Sequence, residues 1–84
     1  MMENRNQVIS KVLEIISRVC KINDMNNPLS IKIKDLETSV SDYLIVIIMD
    51  LEDEYNFIFE DNEIDAIDTI GDIVNIICNK LRIE

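Results

Sequence analysis

The stretch SVSDYLIVIIMDLEDEYNF, residues 39–57, holds three kinds of side chain in a fixed order. Two serines and an aspartate open it, a nearly unbroken apolar run fills it, and a cluster of acids ends it. Apolar residues recur along it at three- and four-residue spacing: Leu44, Ile47, Ile48, Leu51 and Tyr55. This spacing places them on one face, so the stretch predicts a helix over 41–55 that packs against other helices.

The outward side of this helix is unusual in its N-terminal half. Ile45 and Met49 are expected to widen the buried face, while Tyr43 and Val46 lie on the side that should meet solvent. The acids of that side come only in the second half of the helix: Asp50, Asp53 and Glu54. A surface helix is normally polar along its whole outer side. The first two turns are instead apolar nearly all round, which asks for a functional explanation.

Upstream of this stretch the sequence predicts one helix and a long loop. The helix covers 5–21, and Asn4 or Asn6 can cap its start, because a short side-chain oxygen accepts from the free amides of a first turn. Its inner stripe consists of Val8, Val12, Ile15, Ile16 and Val19. Residues 23–39 follow, with turn formers and Pro28, which bars a helix. Part of this segment alternates like a strand, but a lone strand has no partner. We predict an extended loop pinned by four apolar side chains: Leu29, Ile31, Ile33 and Leu36.

Downstream the sequence predicts a short helix near 61–67 and a last helix within 68–83. Asp68 and Thr69 are the candidate caps of the last helix. Its inner stripe consists of Ile70, Ile73, Val74, Ile77, Cys78 and Leu81. The expected fold class is therefore all-α. It is a four-helix bundle, with three longer helices, a short third helix, a long loop between helices one and two, and a single domain over 1–84.

Length and charge narrow the function. The 84 residues leave room for one core. Seventeen acids against eight bases give a net charge of −9, which disfavours nucleic acid and anionic membranes and favours a basic protein surface as partner. The acidity can equally serve only to keep a small protein in solution. The N-terminus shows no signal-peptide pattern, and no apolar run reaches the roughly 18 residues of a membrane span. The cytoplasm is therefore the expected compartment.

The residue types offer little for catalysis. Without a histidine, the usual general base is missing and no Ser–His or Cys–His pair can form. Cys20 and Cys78, predicted to be free buried thiols, do not make a zinc site by themselves. The acids of 61–72 have the spacing of a calcium loop, but Ala66 and Asp72 stand where that loop needs Gly and Glu. We therefore predict neither a metal site nor enzymatic activity.

The start of the helix over 41–55 is the candidate site. A hydroxyl there faces free backbone amides and the positive end of the helix dipole, so a phosphate ester on it is electrostatically favoured. Ser39 or Ser41 can also act simply as an N-cap, and residue physics alone favours the cap, because serine is among the commonest cap residues.

The order of elements, with a serine at the head of the second helix, resembles the acyl carrier protein family. LIVIIMDLEDEYNFIF, residues 44–59, is similar to that family's second helix, where an apolar run leads into Leu-Glu-Glu-Glu-Phe. DTIGDIVNII, residues 68–77, is similar to its last helix, and LSIKIKDLETS, residues 29–39, to its loop, where an apolar pair precedes Asp-Leu. Together these segments cover nearly the whole chain.

The resemblance implies a covalent 4′-phosphopantetheine arm, added from coenzyme A to a serine. Counting back from Leu51 and Tyr55 assigns the arm to Ser41. Counting forward from the Asp-Leu of the loop lands on Val40, which keeps Ser39 as a second candidate. The family's Asp-Ser-Leu reads Val-Ser-Asp here, and its usual Gly after Asp-Leu is Glu here. The implied protein is an acyl or peptidyl carrier and not an enzyme. It would move thioester-bound intermediates between enzymes of fatty acid, polyketide or related biosynthesis.

The resemblance also implies partners: a phosphopantetheinyl transferase and acyl-handling enzymes with basic docking surfaces. The implied docking face is formed by Asp42, Tyr43, Val46, Met49, Asp50 and Asp53. Val46 stands at a position that is commonly acidic in the family, so this face is expected to be more apolar than usual. Four inner residues can line an acyl-chain cleft or simply pack in the core: Leu44, Ile47, Ile48 and Ile64. We expect a monomer. The alternatives are an acidic helical interaction module with a carrier fold but no arm, and a regulator that binds a basic peptide.

Overall fold

Four α-helices follow one another in the computed structural model, which describes residues 3–83. They are α1 (Arg5–Val19), α2 (Tyr43–Tyr55), α3 (Asp61–Asp65) and α4 (Ile70–Leu81). Two 3₁₀ turns, Pro28–Ser30 and Ile33–Asp35, interrupt the long connection between α1 and α2. The all-α, four-helix prediction is confirmed. Met1, Met2 and Glu84 of the predicted domain lie outside the described residues.

Helices α1, α2 and α3 are each two residues shorter than the periodicity predicts. α1 ends at Val19 because Cys20 is already extended, with φ −130° and ψ 159°, and the next amide, that of Lys21, donates to the Glu37 carbonyl at 2.7 Å. α2 begins two residues after the predicted Ser41, which lies in a turn. Apolar periodicity continues past a helix end wherever the following residues still face the core, so it overestimates helix length.

Side-chain caps set where α1 and α4 begin. Asn4, rather than Asn6, caps α1: its Oδ1 accepts from the Gln7 amide at 2.9 Å, and the Gln7 side chain accepts from the Asn4 amide at 2.8 Å. Thr69 caps α4 in the same reciprocal way with Asp72, whose Oδ2 accepts from the amides of Thr69 and Asp68 at 3.0 and 2.9 Å. Both predicted caps are confirmed, and each satisfies two amides that a helix start otherwise leaves free.

The core lies between α1, α2 and α4. Its buried side chains from these helices are Val8, Val12, Ile15, Ile16, Ile47, Ile48, Leu51, Ile70, Ile73, Val74, Ile77 and Cys78. Cys20, Ile33, Leu36 and Phe59 complete it from the connections. Every buried residue within 3–83 is apolar or a cysteine. The three predicted inner stripes therefore meet in one core.

The loop before α2 is held on α4 by its backbone. The Ile33 amide donates to the Asp68 carbonyl at 2.8 Å, and the Ile70 amide donates to the Ile31 carbonyl at 3.0 Å. Gly71 allows this approach, because a Cβ atom there would lie 3.0 Å from the Leu29 carbonyl oxygen. The prediction of a pinned, extended loop is confirmed. The part of the loop that alternates like a strand pairs with the residues just before α4 rather than with a second strand.

Both cysteines are free and buried, as predicted. Burial raises the pKa of the Cys20 thiol, and a hydrogen bond with Thr38 offsets this only in part. Cys78 is 2% exposed on the inner side of α4. Neither thiol therefore reaches the surface in the folded protein.

Replacing Ile77 by alanine should lower the free energy of unfolding by about 2–5 kcal/mol, because a buried isoleucine leaves a cavity that its neighbours fill only in part. Ile58→Ala is the matched control. The Ile58 side chain is 75% exposed, and its truncation should cost less than about 0.5 kcal/mol. Urea unfolding followed by circular dichroism measures both variants. Equal losses would contradict the assignment of the core.

The cap of α4 should make the stability of the protein depend on pH. Hydrogen bonds from the Thr69 and Asp68 amides hold the pKa of the Asp72 carboxyl below its ordinary value of 3.8. Because the folded pKa is the lower one, the contribution of the carboxylate is complete above pH 3.8 and is lost as the pH falls through the folded value. Asp72→Asn should therefore be less stable than wild type near neutral pH, and the difference should close in acid. Thermal unfolding at a series of pH values measures this. A difference that stays constant into acid would argue against the carboxylate.

Candidate functional site at the start of α2

Ser41 is exposed and lies in the turn directly before α2. Asp42 occupies the N-cap position, with φ −101° and ψ 44°, and its side chain accepts no capping hydrogen bond. Within residues 3–83, neither Ser39 nor Ser41 makes a side-chain cap for this helix. The interpretation of either serine as the N-cap is therefore wrong, although residue statistics favoured it. The Ser41 hydroxyl is left available to other groups.

The uncapped start of α2 has a favourable field for an anion. Its first-turn amides have no side-chain acceptor among the described residues, and thirteen residues of helix align their dipoles behind them. α1 and α4, by contrast, have reciprocal caps at their starts. A negatively charged group attached at Ser41 would meet free N–H donors and the positive end of the dipole.

The segment that carries the serines is tied to the end of α1. The Thr38 hydroxyl donates to the Val19 carbonyl at 2.7 Å and accepts from the Val40 amide at 3.0 Å. The Asn23 side chain donates to the Glu37 carboxylate at 3.0 Å. Sequence reasoning missed this role of Thr38. A threonine hydroxyl often accepts a hydrogen bond from a backbone amide two residues further along the chain. These bonds fix the path of the chain toward Ser41.

Tyr43 turns inward and joins the start of α2 to the loop before it. Its hydroxyl donates to the Ile33 carbonyl at 2.8 Å, and its ring is half-buried against the core. The predicted outward position of Tyr43 is therefore wrong. The sequence places residue 43 on the outer side of an isolated helix, but the loop between α1 and α2 folds over that side and covers the ring.

A groove of about 370 Å³ opens beside Ser41. Its apolar wall includes Ile33, Leu44 and Ile67. Lys34 contributes one cation, and Asp42 and Asp68 contribute two carboxylates. Ser39 is exposed but is not part of this lining. Sequence reasoning missed Ile33 and Ile67 as groove residues, since the loop that brings Ile33 to the groove has no periodic signal.

The four candidate cleft residues divide between core and groove. Ile47 and Ile48 are buried in the core, at 0% and 3% exposure. Leu44 is half-buried and lines the groove beside Ser41. Ile64 is half-buried against the core from α3. Plain packing therefore accounts for Ile47 and Ile48, while Leu44 faces a space that a ligand can enter.

The outer face of α2 is more apolar than its sequence predicts. Ile45 is 50% exposed, Met49 59% and Val46 37%. The prediction that Ile45 and Met49 widen the buried face is wrong. The buried residues of α2 are Ile47, Ile48 and Leu51, and they form a narrow stripe. Asp42 and Asp53 are exposed beside these side chains, and Asp50 is half-exposed.

Two acids of α2 have partners inside the protein. Glu52 accepts from the Phe59 amide at 2.8 Å, and Glu54 lies 3.9 Å from the Lys11 ammonium of α1. The remaining acids of the helix, Asp42, Asp50 and Asp53, make no ion pair within residues 3–83. They are therefore the carboxylates that α2 can offer to an outside partner.

The described residues bring together no group of three or more His, Cys, Asp or Glu side chains that could hold a metal ion. No helix within residues 3–83 is long and apolar enough to cross a membrane. The features that remain are one exposed hydroxyl at an uncapped helix start, a groove beside it and a helix face with unpaired acids. Together they define a small acidic helical bundle that presents a hydroxyl without a catalytic base.

Comparison with known proteins agrees with this description. The chain is 32% identical over 80 residues to a protein named acyl carrier protein from Thermotoga maritima, and the match covers 95% of this chain and 99% of the relative. The chain belongs to the acyl carrier protein family. It is accordingly a carrier and not an enzyme. No family model matches the chain, and no solved structure matches it at a significant level.

Tyr43→Phe should lower the free energy of unfolding by about 1 kcal/mol, because the Ile33 carbonyl loses its hydroxyl donor. Amide hydrogen exchange at Leu36, whose N–H donates to the same carbonyl at 3.2 Å, should become faster. Tyr55→Phe is the matched control. The Tyr55 hydroxyl is buried without a partner among residues 3–83, and burial, together with the nearby Glu3, Glu54 and Cys78, raises its pKa to about 12. Its removal should cost no stability. A loss of similar size in both variants would contradict the role of the Tyr43 bond.

Proposed function

We propose that this carrier holds a 4′-phosphopantetheine arm on Ser41. The observation that carries the proposal is the exposed, uncapped position of Ser41 directly before α2. The hydroxyl is open to an enzyme that transfers the arm, and a phosphodiester formed there would be stabilised by the free amides and the dipole of α2. Ser39 remains the second candidate. Its place outside the groove supports Ser41 over it.

The residues around Ser41 fit such a group. The amides of the first turn of α2 and the Lys34 side chain would hold its phosphate, and Leu44 and Ile67 would contact its apolar portions. When bound, the arm supplies a thiol on which acyl groups are carried as thioesters. The protein's own thiols, Cys20 and Cys78, are buried, so the arm would provide the accessible sulfur.

Attachment of the arm requires a separate enzyme. The sequence contains no histidine, and within residues 3–83 the Ser41 hydroxyl makes no hydrogen bond to a side chain that could act as its base. A phosphopantetheinyl transferase must therefore supply the base and bind coenzyme A. The cargo we propose is an acyl or peptidyl intermediate of fatty acid, polyketide or related biosynthesis.

The outer face of α2 is the proposed docking surface for that transferase and for acyl-handling enzymes. Unpaired carboxylates surround an apolar centre, and the acids we assign to it are Asp42, Asp50 and Asp53. Val46 and Met49 form the centre together with Ile45. A partner with basic residues around an apolar patch would match this surface, and opposite charge would speed the encounter. Tyr43, which the sequence also assigned to this face, would act from the groove side because its ring is half-buried.

A second candidate function is an interaction module of carrier fold that has no arm. The residues on either side of the serine favour it, since Val40 and Asp42 replace the Asp and Leu of the family's modified triplet. In that case the outer face of α2 would be the whole functional surface. Ser41→Ala and Ser39→Ala would then leave partner binding unchanged.

Incubation with coenzyme A and a broad-specificity transferase should add the mass of one arm to the wild type. Ser41→Ala should add none, and Ser39→Ala, the matched control, should add one. Maleimide labelling of the folded protein provides a second readout. The number of thiols that react with maleimide should be zero before the reaction, because Cys20 and Cys78 are buried. It should be one after the reaction.

A wild type that gains no mass, under conditions that load a control carrier, would overturn the proposed arm. Loading that persists in Ser41→Ala and disappears in Ser39→Ala would move the site to the second serine. Native circular dichroism of each variant checks that the fold is intact.

A further inference from the structure

We propose that Thr38 is a positioning residue for attachment of the arm, because its hydroxyl holds the chain next to Ser41 in place. The inference rests on the proposed function, in which a transferase loads Ser41. It gives the segment before α2 a part in the rate of that transfer, separate from the docking of the transferase on the outer face of α2. Thr38 would touch neither coenzyme A nor the reacting atoms, since its hydroxyl is engaged within the protein.

Ser41 lies in a short exposed segment that packing does little to fix. Ser39 and Ser41 are exposed, and Val40 between them is 39% exposed. None of these three residues belongs to a helix. The burial of apolar surface, which fixes most of the bundle, therefore contributes little here. The position of the segment depends on the hydrogen bonds that join it to the rest of the chain.

One side-chain hydroxyl makes the connection to the chain before this segment. The Thr38 hydroxyl accepts from the Val40 amide at 3.0 Å and donates to the Val19 carbonyl at 2.7 Å. Among the hydrogen bonds within residues 3–83, the bond to Val40 is the one that ties residues 39–41 to the chain preceding them. Val19 is the last residue of α1. Thr38 thus links the amide next to Ser41 to the end of a helix.

Thr38 is itself well fixed. The residue before it, Glu37, accepts from the Lys21 amide at 2.7 Å through its backbone carbonyl, and Thr38 is half-buried. A threonine hydroxyl has one proton to donate and lone pairs to accept with, and both capacities are used. Valine has nearly the same shape and can form neither bond. Thr38→Val therefore removes the connection to residues 39–41 without a change in side-chain volume.

The transfer reaction depends on where Ser41 lies. Its Oγ attacks the phosphorus of coenzyme A that carries the pantetheine. The bond from that phosphorus to the oxygen of adenosine 3′,5′-bisphosphate breaks, and the electron pair stays on the leaving oxygen, while the serine proton passes to the base of the transferase. A nucleophile held in line with the breaking bond reacts faster than a mobile one, and a displacement of about 1 Å can cost about 100-fold in rate.

The two sides of Ser41 are held independently. On the C-terminal side, the Tyr43 hydroxyl donates to the Ile33 carbonyl at 2.8 Å and fixes the first residue of α2. Loss of the Thr38 bonds should therefore free residues 39–41 while α2 stays in place. Because the proposed docking face lies on α2, the variant should bind the transferase normally and react slowly.

The test is the steady-state kinetics of arm transfer, with coenzyme A, a broad-specificity transferase and the apo protein as the varied substrate. Thr38→Val should lower kcat about tenfold and leave KM for the carrier unchanged. Thr38→Ser, which keeps the hydroxyl, should restore kcat to near the wild-type value. Asn4→Ala is the matched control. It removes the capping bond to the Gln7 amide at the opposite end of α1, so it should lower the melting temperature without lowering kcat.

A second readout needs no transferase. In ¹⁵N relaxation of the apo protein, the order parameters of the Val40 and Ser41 amides should fall from about 0.85 in wild type to below about 0.6 in Thr38→Val. Those of Ile47 and Leu51, in the buried stripe of α2, should not change. Circular dichroism melting of each variant sets an assay temperature at which all of them are folded.

A Thr38→Val variant with the kcat and the order parameters of wild type would overturn the positioning role and leave the proposed arm standing. A Thr38→Ser variant that stays as slow as Thr38→Val would overturn it too, and so would an equal loss of kcat in Asn4→Ala, which would mean that transfer follows stability alone. A wild type that accepts no arm, under conditions that load a control carrier, would instead overturn the proposed function and this inference with it.

Discussion

The narrow buried stripe of α2 is the constraint that leaves an apolar face of this helix exposed. Ile47, Ile48 and Leu51 are the buried residues of this helix, and their contact with α1 and the rest of the core is enough to fix it. Ile45, Val46 and Met49 are consequently left exposed on the outer side. A wider stripe would stabilise the bundle further, at roughly 25 cal/mol for each Å² of apolar surface removed from water, but it would bury the face that can meet a partner. The bundle lacks that additional burial, and the helix face stays accessible.

The loop between α1 and α2 positions that face relative to Ser41. Backbone bonds between Ile31, Ile33 and the start of α4 hold the loop on one side, and Thr38 holds it to the end of α1 on the other. The Tyr43 hydroxyl then joins the loop to the first turn of α2. Ser41 is therefore presented from a segment that is anchored on three helices, although it lies in a turn. If Ser41 holds the proposed arm, the arm would extend from a fixed point.

Sequence periodicity predicted the core more reliably than the site, for a physical reason. The inner stripe of α4 and the caps Asn4 and Thr69 depend on interactions within one helix, so their spacing carries the information. The inward turn of Tyr43, the exposure of Ile45 and the uncapped start of α2 depend on where the preceding loop lies. That loop is positioned by hydrogen bonds of its backbone, which leave no trace in residue type. The same limit explains why Ile33 was missed as a residue of the groove beside Ser41, whereas the serine-headed helix could be found from the sequence.

The burial of both cysteines has a consequence for cargo chemistry. A thioester transfers its acyl group readily to any nearby thiolate, so a carrier with a surface cysteine would compete with its own partners for the group it delivers. Cys20 and Cys78 are buried, at 6% and 2% exposure, and the raised pKa of Cys20 favours the protonated form of that sulfur. If the proposed arm carries a thioester, neither of these buried thiols would compete with a partner enzyme for the acyl group.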